Sequence, residues 1–258
     1  MQVQWMIQTS FTKNKNDEDL ALAVLNDGGK VIGANIRPFD DELNPLSEFD
    51  DNFPHTVPYG STKLREIVKD RLWHAMFSAY DSPYSECVKH RSDMLNADLC
   101  TGALRDIQVN PSSTHFMKPD HDGKAFNGGV MTSEEIFRVQ NELHIGHHEF
   151  APVTPVLVST VKQILEEHRW FIVDSKVIDG SRYRKNNMVS CEHADNGLLA
   201  QAQTLADVWL PHHTCVMDTA ITPFGIKIVE FNWLNCSGFY GHDIPKIVKS
   251  INQYVRSK

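Results

Sequence analysis

The run Arg169-Trp-Phe-Ile-Val173, Asp174-Ser175, Lys176-Val-Ile178 constrains this chain most. Two apolar, β-favouring segments separated by two turn-forming residues read as an antiparallel hairpin. A second hairpin follows, from Cys215–Ala220 through Pro223-Phe224-Gly225 to Ile226–Phe231. The later part of the chain must therefore hold an antiparallel sheet. The opening is different. Val3–Gln8 reads as a strand, and Asp17 leads a helical stripe of Leu20, Ala21, Val24 and Leu25. Gly28-Gly29 stops that helix before a second strand, Lys30–Ile36. Strand–helix–strand is the start of a parallel α/β layer.

Further along, Thr56–Tyr59 enters a Gly60-Ser61 turn and a helix carrying Leu64, Ile67, Val68 and Leu72. That turn reads most simply as a helix cap. Residues 80–112 contain many breakers and no clear period. Thr114–Lys118 and 126–130 read as strands, Ser133 as a helix start, and 156–158 and 161–165 as extended segments. Residues 197–208 read as a helix. Ile244, Ile247, Val248, Ile251 and Val255 form one stripe of a closing helix. We place a domain boundary at 110, giving domains 1–110 and 111–258. With 258 residues, folding buries roughly 70–75% of the unfolded surface, enough for a core without disulfides.

Charge excludes some partners. The chain carries 33 acidic and 25 basic residues, a formal net of −8, which argues against a nucleic-acid footprint. Most of the acid excess falls before residue 110, so the second part can still hold a local anion site. Residues 40–53 contain six acids and no Lys or Arg. That stretch reads as a solvated loop, or as an acidic lip for a cationic substrate. Five cysteines without CxxC spacing fit a reducing, cytoplasmic setting. No signal peptide is expected at the start. No apolar run is long enough to span a membrane.

Asp218, Glu230 and Asn232 carry the sharpest chemical signal. Glu230 and Asn232 are two apart on a strand and leave one face. With Pro223-Phe224-Gly225 as a three-residue loop, Asp218 falls opposite Glu230. Two carboxylates and an amide, all oxygen donors, suit Mg²⁺. The alternative is a turn aspartate and an exposed strand glutamate. If the metal reading holds, Asp218→Ala or Glu230→Ala abolishes turnover and leaves stability near wild type. A second group is cationic: Lys118, Lys124, Arg169, Arg182 and Arg184 offer positive charge to a polyphosphate. Counting from the Asp174-Ser175 turn places Glu167 opposite Arg182. Asn235-Cys236-Ser237-Gly238 offers backbone N–H groups and polar side chains to an anion. His144, His147, His148, His212 and His213 lack the partners a zinc site needs. No Walker A, GxGxxG or GxSxG sequence is present.

In order, FMKPDHDGKAFNGGVM (116–131), VLVSTVKQILEEHRWFIVDSKVIDGSRYR (156–184) and MDTAITPFGIKIVEFNWLNCSGFY (217–240) resemble an ATP-grasp domain. They are similar in particular to compact ATP-grasp proteins of bacteria and phages and, in the E-x-R and D…E-x-N signatures, to ribosomal-protein glutamate ligases. The resemblance implies a mixed α/β (α+β) chain. A Rossmann-like pre-ATP-grasp domain would precede an ATP-grasp domain of two α+β lobes. By resemblance, Lys118 contacts the nucleotide phosphates. Ser159 to Val161 supply the hinge that reads adenine, and Glu167 and Arg169 face ribose and phosphates. Asp218, Glu230 and Asn232 bind magnesium, and Asn235, Ser237 and Gly238 form a substrate or phosphate loop. Most such proteins carry another phosphate-binding lysine upstream. Here Lys89 and Arg105 are the available cations. The implied activity is an ATP- and Mg²⁺-dependent, ADP-forming carboxylate–amine ligase joining an amino acid or peptide through an acyl phosphate. A kinase and a non-catalytic nucleotide-binding module are the alternatives.

Overall fold

The fold is taken from a computed structural model that describes all residues except 1, 10–14, 38–39, 51–52, 54, 72, 74–82, 121–125 and 145–150. In chain order its elements are β1 (Gln4–Gln8), α1 (Lys15–Asn26), β2 (Lys30–Ala34), β3 (Thr56–Tyr59), α2 (Thr62–Val68), α3 (Tyr84–His90) and β4 (Cys100–Ala103). There follow β5 (Thr114–Pro119), β6 (Gly129–Thr132), α4 (Ser133–His144), β7 (Pro155–Thr160), β8 (Glu166–Val173) and β9 (Lys176–Lys185). The chain closes with β10 (Met188–His193), α5 (Asn196–Val208), β11 (Cys215–Thr222), β12 (Gly225–Asn232), a 3₁₀ turn at Leu234–Cys236, and α6 (Ile244–Arg256). This is the mixed α/β content that the sequence implies.

Two compact units emerge: Met1–Tyr80 with Glu166–Thr219 and Phe231–Lys258, and Asp81–Leu165 with Ala220–Glu230. In the first, β2-β1-β3 form a parallel sheet with Trp5 beside Val31 and Val57. Pro58 is tolerated because β3 is an edge strand. The expected stripe of α6 is buried with Trp5, Leu20, Val24, Phe171 and Val216 in one core. Trp5 Nε1 donates to Asn252 Oδ1 at 2.8 Å, and Asn252 Nδ2 donates to Asp27 at 2.8 Å. The last helix thus seals the first strand. Ser61 caps α2, its side chain accepting from Leu64 N, so Gly60-Ser61 is the turn and cap expected.

A five-stranded sheet runs β10-β9-β8-β11-β12. Asp174 and Ser175 both have positive φ, 51° and 64°, the requirement of a two-residue type I′ turn. Val173 accordingly pairs with Lys176. Asn186 and Asn187 repeat the geometry and create β10, which the sequence reading did not identify. Trp170 lies directly across from Gly180. A Cβ at Gly180 would sit 2.2 Å from the indole, so only glycine fits there. Farther from the turn the expected register is corrected. β9 carries extra residues at two irregularities, so Glu167 faces Arg184 and His168 faces Arg182. Each bulge adds one residue to one strand, and two of them move Glu167's partner by two. The link between β11 and β12 is also shorter than expected. Only Pro223 and Phe224 separate the strands, and Gly225 opens β12 at φ 99°. The three-residue loop used to set Asp218 opposite Glu230 does not form.

The second unit holds the antiparallel sheet β4-β7-β5-β6. Leu104, Ile107, Met117, Ile136, Leu143, Val156 and Val158 form its core. The breaker-rich stretch contains α3 and β4, while residues 161–165, expected to be extended, lie outside any strand. Residues 93–95 hydrogen-bond along Ile228 of β12, at 2.7 and 3.0 Å.

Candidate functional site

Alternation along β8 sends Glu167 and Arg169 to one face and Glu166 and His168 to the other. Arg169 donates through Nε and Nη2 to the two carboxylate oxygens of Asp218, at 2.8 and 2.7 Å. Asp218 is 1% exposed, and Asn232 Nδ2 donates to it at 3.0 Å. Arg169 also reaches the Gly238 carbonyl at 3.4 Å. Its guanidinium carbon lies 5.1 Å from the Tyr240 ring centre and 5.7 Å from that of Tyr183. Those two rings stack at 5.1 Å. Burial works against the charge of Arg169, but the Asp218 carboxylate outweighs it and raises the guanidinium pKa further.

Glu167 is buried and accepts from Tyr183 at 2.7 Å and from Arg184 at 3.0 Å. Tyr183 is the residue that the second β9 bulge adds. Its phenol is raised by burial and then by the carboxylates of Asp218 and Glu167, so it stays a neutral donor. Arg182 points elsewhere, pairing with Glu166, Glu192 and Ser190. The structure does not gather it with Arg169 and Arg184. His242 braces the other end of Arg169, its Nε2 lying 3.1 Å from the Arg169 carbonyl. Burial lowers the His242 pKa.

After β12 the chain turns inward. Ser237 Oγ donates to the Trp233 carbonyl at 2.7 Å, and the Ser237 carbonyl accepts from Tyr59. Asn235 is fully buried, and its backbone carbonyl accepts from Gly60 N at 2.8 Å. Neither polar atom of the Asn235 side chain has a partner within the protein. An orphaned buried amide is uncommon and costs about 1–3 kcal/mol, which a ligand or ordered water would recover. Gly238 faces open space on the side where a Cβ would stand.

In the second unit, Lys118 on β5 donates to Glu230 Oε2 at 2.7 Å and lies 4.9 Å from the Tyr84 ring centre. Tyr84 is buried, and its hydroxyl accepts from Asn96 N at 2.9 Å. Ser159 is buried and donates to Asn96 Oδ1 at 3.0 Å. Thr160 and Lys162 converge on Asp98, at 2.6 and 2.7 Å. Those bonds hold the Asp98 carboxyl below its ordinary value although burial acts the other way. Val161, between them, is exposed. Lys89 and Arg105 pair with neighbouring acids, Glu86 and Asp106. Lys124, His147 and His148 lie outside the described residues.

Asp218, Asn232 and Glu230 all present oxygen, which fits a hard divalent cation. Among the described residues no group of three or more His, Cys, Asp or Glu forms a rival metal site. Tyr84, Tyr183, Tyr240 and Asp98 escaped the sequence reading. A tyrosine carries no signal of its partners until the strands are paired.

An ATP-grasp domain family, the second family of its clade, matches residues 98–249. A comparison with curated proteins finds no match. Among solved structures, the chain resembles a RimK domain protein ATP-grasp from Sphaerobacter thermophilus DSM 20745, with TM-score 0.63, 11% identity, and 98% of this chain and 99% of that one covered. The D-cycloserine synthetase DcsG is similar at TM-score 0.63, 12% identity and the same coverage, 98% and 99%. The ATP-grasp ligase PsnB, complexed with a phosphomimetic variant of its minimal precursor, Mg and ADP, gives TM-score 0.53 at 10% identity over 100% and 98% of the chains.

Proposed function

The chain belongs to this ATP-grasp domain family, and on that premise we propose that it is an ATP- and Mg²⁺-dependent, ADP-forming carboxylate–amine ligase. The observation that carries the reading is the meeting of the Asp218 carboxylate and the Asn232 amide at 3.0 Å beside a buried arginine. Asp218, Asn232 and Glu230 would hold Mg²⁺, which supplies neutralisation of charge on phosphate oxygens. Lys118, Arg169 and Arg184 bind the phosphates, and Arg169 orients the phosphoryl group toward its acceptor. Arg182 enters this reading only by resemblance, since its contacts are with Glu166, Ser190 and Glu192. Lys124 belongs to it by resemblance too.

The Ser159–Val161 backbone reads adenine, and Asp98 steadies that segment through Thr160 and Lys162. Asn235, Ser237 and Gly238 line the loop that receives substrate or phosphate. The unpartnered Asn235 amide supports that role. The substrate carboxylate takes the terminal phosphoryl group and ADP leaves. An amine then attacks the acyl phosphate, giving an amide, inorganic phosphate and a proton. The substrates are an amino acid or peptide, as the precursor in the PsnB complex suggests by analogy.

A pre-ATP-grasp module to residue 110 and an ATP-grasp module beyond it belong to the same reading. So does a cytoplasmic setting, which five free cysteines support. Among the described residues no helix is long and apolar enough to cross a membrane. Nucleotide chromatography after incubation with amino acids, peptides and polyamines tests the proposal. ADP with phosphate, requiring both carboxylate and amine, is expected. AMP refutes the acyl-phosphate route, and ADP without an amine identifies a kinase.

A further inference from the structure

Both carboxylates assigned to the metal are already held by a cation of the chain, Glu230 by Lys118 and Asp218 by Arg169. The Lys118–Glu230 pair is no loose surface bridge. The two side chains are 18% and 36% exposed, and the ammonium is also held over the Tyr84 ring, itself fixed by Asn96. The lysine stem is confined as well, because a Cβ at Gly128 would come within 2.8 Å of Lys118 Cβ. Arg169 is fixed more firmly, with two bonds to a nearly buried Asp218.

We propose that Lys118 is a built-in counter-ion that closes Glu230 to a bare divalent cation and releases it only to a metal–polyphosphate. The inference rests on the functional reading above. A cation arriving alone meets an ammonium 2.7 Å from the oxygen it needs, and like charges at that range repel. A polyphosphate removes the obstacle. Its oxygens offer Lys118 a stronger charge-assisted partner, and the freed carboxylate turns to the metal. The lysine thereby makes nucleotide and metal binding mutually dependent, and coupling of this kind is reciprocal.

The test measures Mn²⁺ binding to the full chain by calorimetry without nucleotide and with ADP, and ATP binding in EDTA. The site followed is the one lost in Glu230→Gln. Wild type should bind Mn²⁺ roughly tenfold or more tightly when ADP is present. Lys118→Met should bind Mn²⁺ alone roughly tenfold more tightly than wild type while binding ATP in EDTA more weakly. Lys118→Arg, which keeps the charge, should behave as wild type. Equal Mn²⁺ affinity with and without ADP in wild type overturns the inference. So does a folded Lys118→Met whose affinity for Mn²⁺ alone is unchanged. In either case, metal-dependent ATP binding would leave the functional reading standing. Absence of nucleotide binding under every condition removes both.

Discussion

Arg169 and Asp218 form a two-pronged ion pair across β8 and β11, with Nε and Nη2 each on one carboxylate oxygen. The pair joins a residue read from its strand as phosphate-binding to one read as a metal ligand. Its near-complete burial gives it structural weight as well as chemical meaning. Removing one member strands the other in a poorly solvated place.

Asp218→Asn should therefore lower unfolding free energy by about 3 kcal/mol. Glu230→Gln should cost under about 1 kcal/mol, because that pair is part-exposed. Urea unfolding of both variants checks this. The result expected for Asp218 revises the sequence-based expectation that its removal leaves stability near wild type. Equal costs would show that burial does not distinguish the two sites.

Arg169→Lys keeps the charge but loses the fork geometry and the contact with the Tyr183 and Tyr240 rings. ATP affinity should fall by about tenfold while adenosine affinity holds. Calorimetry with both ligands decides. Equal losses would mean that Arg169 does not face the phosphates.

Gly180→Ala places a methyl group inside the fully buried Trp170 indole, whose Nε1 is already committed to Thr219 at 2.8 Å. The indole cannot step aside, so the expected loss is about 3 kcal/mol or complete misfolding. Thermal unfolding is the measurement. A change below about 1 kcal/mol would mean that β9 yields at this point.

His168 is buried against Trp170, and burial lowers its pKa. The unfolded histidine takes up a proton near pH 6.5, whereas the folded one resists it. The unfolded chain then binds more protons, so stability falls as pH drops through about 6.5 and is regained above it. His168→Phe should flatten that acid limb in urea melts between about pH 5 and 7.5. An unchanged slope would assign the acid sensitivity elsewhere.

Local chemistry settles much of this protein from sequence alone. Asp174-Ser175 between two apolar runs specifies a tight hairpin, because short polar residues tolerate the left-handed region. The stripe from Ile244 to Val255 specifies α6, because its period buries one face. Glu230 and Asn232 share a strand face for the same periodic reason. These signals, with the order of Lys118, Glu167, Arg169 and Asp218 along the chain, were enough to point to the family.

Tertiary structure decided the partners. Two bulges in β9 carry Glu167 from Arg182 to Arg184 and bring Tyr183 onto it. A bulge answers to packing on neighbouring strands, as Trp170 over Gly180 illustrates, and leaves no period to read. Trp5 meets Asn252, from opposite ends of the chain, only because α6 covers the parallel sheet. Lys118 finds Glu230 across 112 positions, and Arg169 finds Asp218 across 49. The residue types and their faces follow from near-neighbour periodicity. Which charge neutralises which depends on strand pairing at long range, where burial and desolvation, not sequence spacing, select the partner.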